Sequence, residues 1–216
     1  SAAFFKQSYD FDVEDDIFYY IDIDNEKITQ YKEPSLLGCH QLINLATAIT
    51  TVNFISKQFT LTHKNIDKAI IKTKWSGRIE QIFIADKFLA HPNTTVFFDG
   101  AHNDQGARYL SLWLKKTHFN GKTILIYGRS KGKEHNSFLQ KFRNVTKDIH
   151  LVSVQSEPLP ASLEEMESSI HLNYFNLNFN DDIFEAILEC QKQNNQPIRI
   201  ICCGSLFLYR DLKIFF

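Results

Sequence analysis

Residues 95–116 read TVFFDGAHNDQGARYLSLWLKK, a β-prone run, a short polar loop and a helical stretch in direct succession. The β-prone run is Thr95–Phe98, and the spacing of apolar residues predicts a helix over Asn103–Lys116. In an open α/β sheet, ligands bind beyond the carboxyl ends of the strands. The polar loop at residues 99–103 (DGAHN) therefore indicates where a functional site lies.

The same alternation of strand and helix continues through the second part of the chain. The other predicted strands are Ile79–Ile84, Thr123–Tyr127, Ile149–Val154, Leu172–Phe175 and Ile198–Cys203, and the other predicted helices are Glu134–Asn144, Ser162–Ser169 and Asp181–Gln193. Strands separated by helices of this length are joined by right-handed crossovers. We therefore expect an α/β fold, with a Rossmann-like, mainly parallel sheet covered by helices on both faces.

The residues before this alternation have a different pattern. Two β-prone runs, Ile17–Ile23 and Glu26–Tyr31, flank Asp24-Asn25 and predict a hairpin. Apolar residues at helical spacing predict an amphipathic helix over Cys39–Lys57. A shorter helix is expected to follow, with Thr62 as its N-cap. Since the pattern changes near Lys74–Gly77, we predict two domains, residues 1–74 and 75–216.

Charge and cysteine usage exclude several classes of protein. Lys and Arg together number 24 and Asp and Glu 25, without a basic stripe, so nucleic acid is not an expected partner. No apolar run reaches the roughly 20 residues that span a bilayer, so no membrane association is expected. The cysteines Cys39, Cys190, Cys202 and Cys203 form no zinc-ligand spacing with the histidines. We therefore expect no metal site in this chain. Adjacent Cys202 and Cys203 point to opposite faces of a strand, which disfavours a disulfide between them. Free thiols fit a cytoplasmic location, which we expect for the protein.

Polar residues that follow the predicted strands are the first candidates for ligand contacts. Asp99 can accept hydrogen bonds from ribose hydroxyls, and His102 can donate to a phosphate or carboxylate. The alternative is that Asp99 and Asn103 only cap the helix that follows. Ser205, after the strand Ile198–Cys203, either binds a carboxylate or caps the terminal helix.

Three further segments are weaker candidates. In LLGCHQLIN, residues 36–44, His40 and Asn44 lie one helical turn apart, and the Asn44 amide suits the edge of an adenine, although local hydrogen bonds would also explain both residues. In WSGRIE, residues 75–80, Arg78 can reach a phosphate or ribose. The basic loop GRSKGK, residues 128–133, follows a strand and could approach a triphosphate, but a solvated charged loop is the default interpretation.

The order and spacing of these segments resemble the folylpolyglutamate synthase/dihydrofolate synthase branch of the Mur ligase superfamily. That family carries LLGxHQxxN, WPGRxE, DGAHN and GSLY in this order. The matching residues are Leu36–Asn44, Trp75–Glu80 with Ser76 in place of proline, Asp99–Asn103, and Gly204–Phe207 with Phe207 in place of tyrosine. The muramyl-peptide ligases typically have GxHN where this chain has GCHQ, which favours the folate branch.

The resemblance implies a role for each matched position. Asn44, Arg78 and Asp99 correspond to ATP-binding residues, while His102 corresponds to a catalytic residue near the terminal phosphate and the incoming glutamate. Ser205 corresponds to a residue that holds glutamate. The family's DKD motif falls on Gly132-Lys133-Glu134, where Lys133 alone is retained as a possible phosphate or substrate contact. Asp104 also replaces a usual proline.

The resemblance also implies an activity for the complete protein. It would use ATP and Mg²⁺ to join L-glutamate to dihydropteroate and/or folyl(poly)glutamate through an acyl phosphate, and we expect the complete protein to be a monomer. Residues 1–74 would be the end of a central P-loop ATPase-type domain, and residues 75–216 the C-terminal glutamate-ligase domain. The family's P-loop and magnesium ligands belong to an N-terminal part whose motifs do not occur in this sequence. We therefore expect this chain alone to be inactive.

Two alternatives remain open from the sequence. The chain could belong to another Mur-type amino-acid ligase, which would act on a different carboxylate. It could also be a non-catalytic nucleotide-binding or regulatory module that lacks the P-loop domain.

Overall fold

The computed structural model describes residues 5–55, 61–84 and 93–213. Its backbone separates into two compact units, Ser1–Trp75 and Ser76–Phe216. The division falls inside the interval Lys74–Gly77, where the sequence pattern changes. The predicted end of the first helix, Lys57, lies outside the described residues.

The first unit is built from an antiparallel sheet and two helices. Its strands in the described residues are β1 (Tyr9–Glu14), β2 (Ile17–Asp22) and β3 (Lys27–Lys32), and its helices are α1 (Cys39–Ile55) and α2 (His63–Lys72). The predicted hairpin is present as β2 and β3. Thr62 caps α2 by accepting a hydrogen bond from the Asn65 amide, as predicted.

Strand β1 was not predicted from the sequence. Asp10, Asp12 and Glu14 alternate in it with apolar residues, and acidic residues are depleted in strands. Pairing with β2 overrides that preference, because it buries Tyr9 with Phe18 and Tyr20 against the helices.

The second unit contains the α/β sheet. In the described ranges its strands are β4 (Glu80–Ile82), β5 (Thr94–Phe98), β6 (Lys122–Tyr127), β7 (Asp148–Val152), β8 (Asn176–Asn180) and β9 (Ile198–Cys203). The helices are α3 (Asp104–Lys116), α4 (Asn136–Gln140), α5 (Leu163–Ser169), α6 (Ile183–Lys192) and α7 (Leu208–Leu212). Their order in the sheet is β4-β5-β9-β6-β7-β8, and every neighbouring pair except β4 with β5 is parallel. The mainly parallel α/β fold is confirmed.

The sheet has a hydrophobic core on each face, as expected for buried parallel strands. Alternate residues of β9 enter different cores, with Ile201 and Cys203 on one side and Cys202 on the other. Burial raises the pKa of both the Cys202 and the Cys203 thiol. Both thiols are free, so the prediction against a disulfide between them is confirmed.

Two element predictions were wrong. Leu172–Phe175 is not a strand; it forms a turn closed by the Phe175 amide on the Leu172 carbonyl, and its aromatic residues pack into the core. The last parallel strand is instead β8, whose sequence NLNFN has low intrinsic β-propensity and is ordered by pairing with β7. Helix α4 is also shorter than the predicted Glu134–Asn144. It begins after Glu134, whose carboxylate accepts hydrogen bonds from the amides of Asn136 and Ser137, and beyond Gln140 the chain continues as turns whose amides bond three residues back.

Gly204, the residue directly after β9, lies where there is no room for a side chain. Gly204 has a φ of +109°, and a Cβ atom on it would lie 2.4 Å from the Gly128 carbonyl oxygen and 2.9 Å from the Tyr127 ring. The Gly204 amide donates to the Ala101 carbonyl over 2.8 Å. The loops after β5, β6 and β9 therefore meet at this glycine.

We predict that Gly204→Ala destabilises the chain by about 2–5 kcal/mol, since left-handed backbone strain and steric overlap both contribute. Gly132→Ala is the matched control, because Gly132 has a φ of +71° and open space around its Cβ position. It should lose only the strain, about 1–2 kcal/mol. Urea unfolding of the three proteins measures the difference, and equal losses would contradict the close approach at Gly204.

Candidate functional site

A cleft of about 270 Å³ opens at the carboxyl edge of the sheet in the second unit. It is lined by His102, Arg129, Ser130, Lys133, Glu157, Gly204, Ser205, Leu206 and Phe207. Three residues singled out from the sequence, His102, Lys133 and Ser205, thus share one cleft. They meet because β9 is inserted between β5 and β6, at the point where the strand order reverses.

Asp99 is buried and holds two backbone amides. Its Oδ1 accepts a hydrogen bond from the Ala101 amide and its Oδ2 one from the Ile79 amide, each over 2.9 Å. The pKa of the Asp99 carboxyl group is raised, because burial outweighs the opposing effects of these hydrogen bonds and of the nearby Arg78 and His102. Asp99 does not cap α3. That role belongs to Asn103, which accepts from the Gly106 amide over 2.8 Å.

Residues 77–80 are hydrogen-bonded to the loop that contains Asp99. The Gly100 amide donates to the Gly77 carbonyl over 2.8 Å, and the Gly77 amide donates to Glu80 Oε2 over 2.7 Å. Ile79 has a φ of +48°, which is unfavourable for a β-branched residue and is held here by the bond to Asp99.

The Arg78 guanidinium lies against the same loop. A Cβ atom placed on Gly100 would lie 3.1 Å from Arg78 Nη1 and 2.3 Å from Leu206 Cδ2, so both side chains pack closely against the Gly100 backbone. The structure therefore brings together Arg78 and Asp99, two of the three residues predicted to bind ATP.

Asn44, the third of those residues, belongs to the first unit. It is an exposed residue of α1, and its Nδ2 donates to Gln41 Oε1 over 3.1 Å. Within the described ranges its amide oxygen accepts no hydrogen bond, which leaves an acceptor open to solvent.

His102 is exposed, and one of its ring nitrogens is occupied. Because a carbonyl oxygen can only accept, His102 Nδ1 donates to the Gly100 carbonyl over 2.9 Å. That bond orients the ring and leaves Nε2 for a ligand, as an acceptor when the ring is neutral and a donor when it is protonated.

Arg129 is a site residue that the sequence analysis undervalued. The default interpretation of residues 128–133 as a solvated loop is wrong at this position, since Arg129 is only 6% exposed. Its Nη2 donates to the His102 carbonyl over 2.9 Å, and its Nη1 donates to the Glu134 carbonyl and to the Tyr127 hydroxyl. The guanidinium also lies over the Phe138 ring. The sequence signal was present, since an Arg directly after a strand and its glycine lies at the ligand-binding edge.

Ser205 is paired with an acidic residue that the sequence did not single out. Its hydroxyl donates to Glu157 Oε2 over 2.6 Å and accepts from the Phe207 amide over 3.1 Å. Ser205 therefore does not cap α7, whose N-cap position is Phe207. Glu157 follows β7 in an irregular segment, and no local pattern in the sequence marks it as a site residue.

Lys133 and Asp104 have different surroundings. Lys133 is the retained residue of an otherwise altered motif, and Asp104 replaces a usual proline. Lys133 is exposed and lines the cleft. Asp104 lies outside the cleft lining, where it accepts a hydrogen bond from Ser137 over 2.7 Å and lies 3.7 Å from Lys141 Nζ. Asp104 thus joins the start of α3 to α4.

Two kinds of feature are absent from the part of the chain that the structure describes. There, no three residues among His, Cys, Asp and Glu are grouped so that they could hold a metal ion. No helix in those ranges has the length and apolar character needed to cross a bilayer.

Comparisons with known proteins agree with this geometry. The family model described as dihydrofolate synthetase, C-terminal domain, matches residues 84–214. The dihydrofolate synthase/folylpolyglutamate synthase of Bacillus subtilis is 24% identical over 190 residues, which cover 87% of this chain and 42% of that protein. The probable dihydrofolate synthetase of Schizosaccharomyces pombe is 26% identical over 211 residues, covering 83% of this chain and 44% of the relative.

Solved structures show the same fold. E. coli FolC in complex with DHPP and ADP superposes with a TM-score of 0.78 at 18% identity, over 97% of this chain and 46% of FolC. Mycobacterium tuberculosis folylpolyglutamate synthase, complexed with ADP and AMPPCP, gives a TM-score of 0.75 at 16% identity, over 100% of this chain and 49% of that one. The chain thus spans less than half the length of these proteins. Because the family model matches more than half of it, the chain belongs to the dihydrofolate synthetase C-terminal domain family.

Proposed function

We propose that this chain is the C-terminal part of an ATP-dependent ligase that joins L-glutamate to dihydropteroate and/or folyl(poly)glutamate. Residues 75–216 would form the glutamate-ligase domain, and residues 1–74 the end of the central ATPase domain. One observation carries the proposal: insertion of β9 between β5 and β6 brings the DGAHN loop and Ser205 to one cleft. The family membership and the titles of its relatives support it.

In the proposed reaction the terminal phosphoryl group of ATP passes to the carboxylate of the folate substrate, which gives an acyl phosphate and ADP. The amine of L-glutamate then attacks the acyl carbon, and phosphate and a proton leave as the amide forms. Negative charge develops on the phosphoryl oxygens and on the tetrahedral oxygen. Donors held in fixed positions near those oxygens stabilise this charge without reorganising.

Residues of the second unit would contact different parts of the substrates. Arg78 and Asp99 would contact the nucleotide. In its protonated form His102 would donate from Nε2 to a phosphoryl or carboxylate oxygen, since Nδ1 already donates to the Gly100 carbonyl. Lys133 and Ser205 would contact phosphate or glutamate. Magnesium would neutralise phosphate charge, but the described residues do not fit a metal site, and its ligands are assigned to the N-terminal part.

The first prediction separates nucleotide contact from folding at Arg78 and Asp99. In the complete ligase, Arg78→Gln should raise the KM for ATP about tenfold or more without changing Tm, since the charge is lost but the backbone bonds remain. Asp99→Asn should raise the KM for ATP and also lower Tm, because its amide cannot accept from both the Ile79 and Ala101 amides. Arg108→Gln, on the exposed side of α3, is the control. An unchanged KM in both variants would remove these residues from the nucleotide site.

His102→Ala should act mainly on kcat. A donor near the forming acyl phosphate matters more as charge develops than in the ground state, so we expect kcat to fall about 10- to 100-fold at saturating ATP and glutamate. His118→Ala is the control, because His118 is an exposed residue after α3 outside the cleft. A kcat equal to that of the parent would leave His102 with a structural role alone.

The activity itself is tested by ADP release. The complete protein should release ADP only when L-glutamate is present with dihydropteroate or a folate, whereas the 216-residue chain should show no turnover. Release that requires a muramyl-peptide carboxylate instead would support the other Mur-type ligases. Glutamate-dependent turnover by the 216-residue chain would contradict the assignment of the phosphate and magnesium sites to another part of the protein.

A further inference from the structure

The cleft is lined by charged residues of both signs. Arg129 and Lys133 are basic, and both follow β6. Glu157 is acidic and follows β7, where it bonds to Ser205. Free L-glutamate carries two carboxylates and one ammonium group at neutral pH. The lining of the cleft therefore has the complementary set of charges, two positive and one negative.

We propose that Glu157, together with Ser205, accepts the ammonium group of the incoming amino acid, while the part of the cleft that holds Lys133 and His102 accepts its carboxylates. This inference rests on the proposed function and deepens it. It makes Glu157 a specificity-determining residue and reverses the carboxylate contact expected of Ser205 from the sequence.

The hydrogen bonds of Ser205 support an ammonium rather than a carboxylate. A hydroxyl group has one proton, and Ser205 uses it on Glu157 Oε2. One of its two lone pairs accepts from the Phe207 amide, so a single lone pair remains for a ligand. Ser205 is 4% exposed and fixed by these two bonds. It therefore offers a ligand an acceptor and no donor.

The charge of Glu157 supports the same conclusion. Glu157 is partly buried, and in the described residues no hydrogen bond reaches its Oε1. A ligand carboxylate at Ser205 would face this like charge at short range, in surroundings that screen it less than bulk water does. An ammonium group there would instead gain a charge-assisted hydrogen bond.

The basic residues are placed to receive carboxylates. Arg129 donates from Nη1 to Tyr127 and Glu134 and from Nη2 to His102, so its guanidinium is held in place and contributes a fixed positive charge to the cleft wall. Lys133 is exposed and can extend to the ligand, and His102 Nε2 provides a further polar contact. A dicarboxylate without an amine could use these groups but would gain nothing from Glu157.

The test compares L-glutamate with glutarate, the same dicarboxylate without the amine. Binding of each to the 216-residue chain can be measured by NMR titration, which detects millimolar affinities. The parent should bind L-glutamate more tightly than glutarate. Glu157→Gln retains an acceptor for Ser205 and should weaken L-glutamate binding about tenfold while leaving glutarate unchanged or tighter.

Two further variants complete the design. Glu167→Gln on the exposed side of α5 removes the same charge away from the cleft and should change neither affinity. Lys133→Gln should weaken both ligands, because both carry the carboxylates that it is proposed to bind. Glu157→Gln should thus change the selectivity between the two ligands, whereas Lys133→Gln should lower both affinities.

The outcomes separate this inference from the proposed function. Equal weakening of L-glutamate and glutarate in Glu157→Gln, or a parent that binds both equally, would overturn the ammonium role while leaving a dicarboxylate site. Absence of saturable binding of either ligand to the parent would overturn the inference and would also count against a glutamate site in this domain. Glutamate-dependent ADP release by the complete protein, measured separately, would still decide the proposed function.

Discussion

The close approach of backbone at Gly204 is the constraint on which the cleft depends. Gly204 donates to the carbonyl of Ala101, which follows β5, and a Cβ atom on Gly204 would lie 2.4 Å from the carbonyl oxygen of Gly128, which follows β6. A side chain at this position would separate the two neighbouring strands. Because the glycine permits contact, His102, Arg129 and Ser205 have fixed positions relative to one another although they are distant in the sequence.

Two buried charges hold the loops on either side of this point. The Asp99 carboxylate bonds the loop after β5 to Ile79, and the Arg129 guanidinium bonds the carbonyl of His102 to that of Glu134. An unpaired buried charge is costly, and both groups are compensated by several hydrogen bonds. Arg129 Nη1 and Nη2 therefore donate within the protein, and the more exposed His102 and Lys133 are left to contact a ligand.

The departures from the family pattern near the cleft have structural partners. Glu134, at the last position of the motif in which Lys133 is retained, accepts from the amides of Asn136 and Ser137 and starts α4. Gly132, at the first position of that motif, has a positive φ, and its amide donates to Glu165 over 2.8 Å. These bonds define the backbone on both sides of Lys133, so the loop has a specified conformation even though only the lysine keeps its identity.

The sequence by itself determined the fold class, most of the strands and helices, and the loops in which a site must lie. Those features follow from local patterns: apolar runs such as Ile198–Cys203, helical spacing as in Asn103–Lys116, and polar residues directly after strands. Only the tertiary structure decided that β9 lies between β5 and β6, that NLNFN rather than the preceding apolar run forms β8, and that Glu157 faces Ser205. The physical reason is that strand order and contacts between distant loops arise from long-range pairing and packing, which local propensity does not encode.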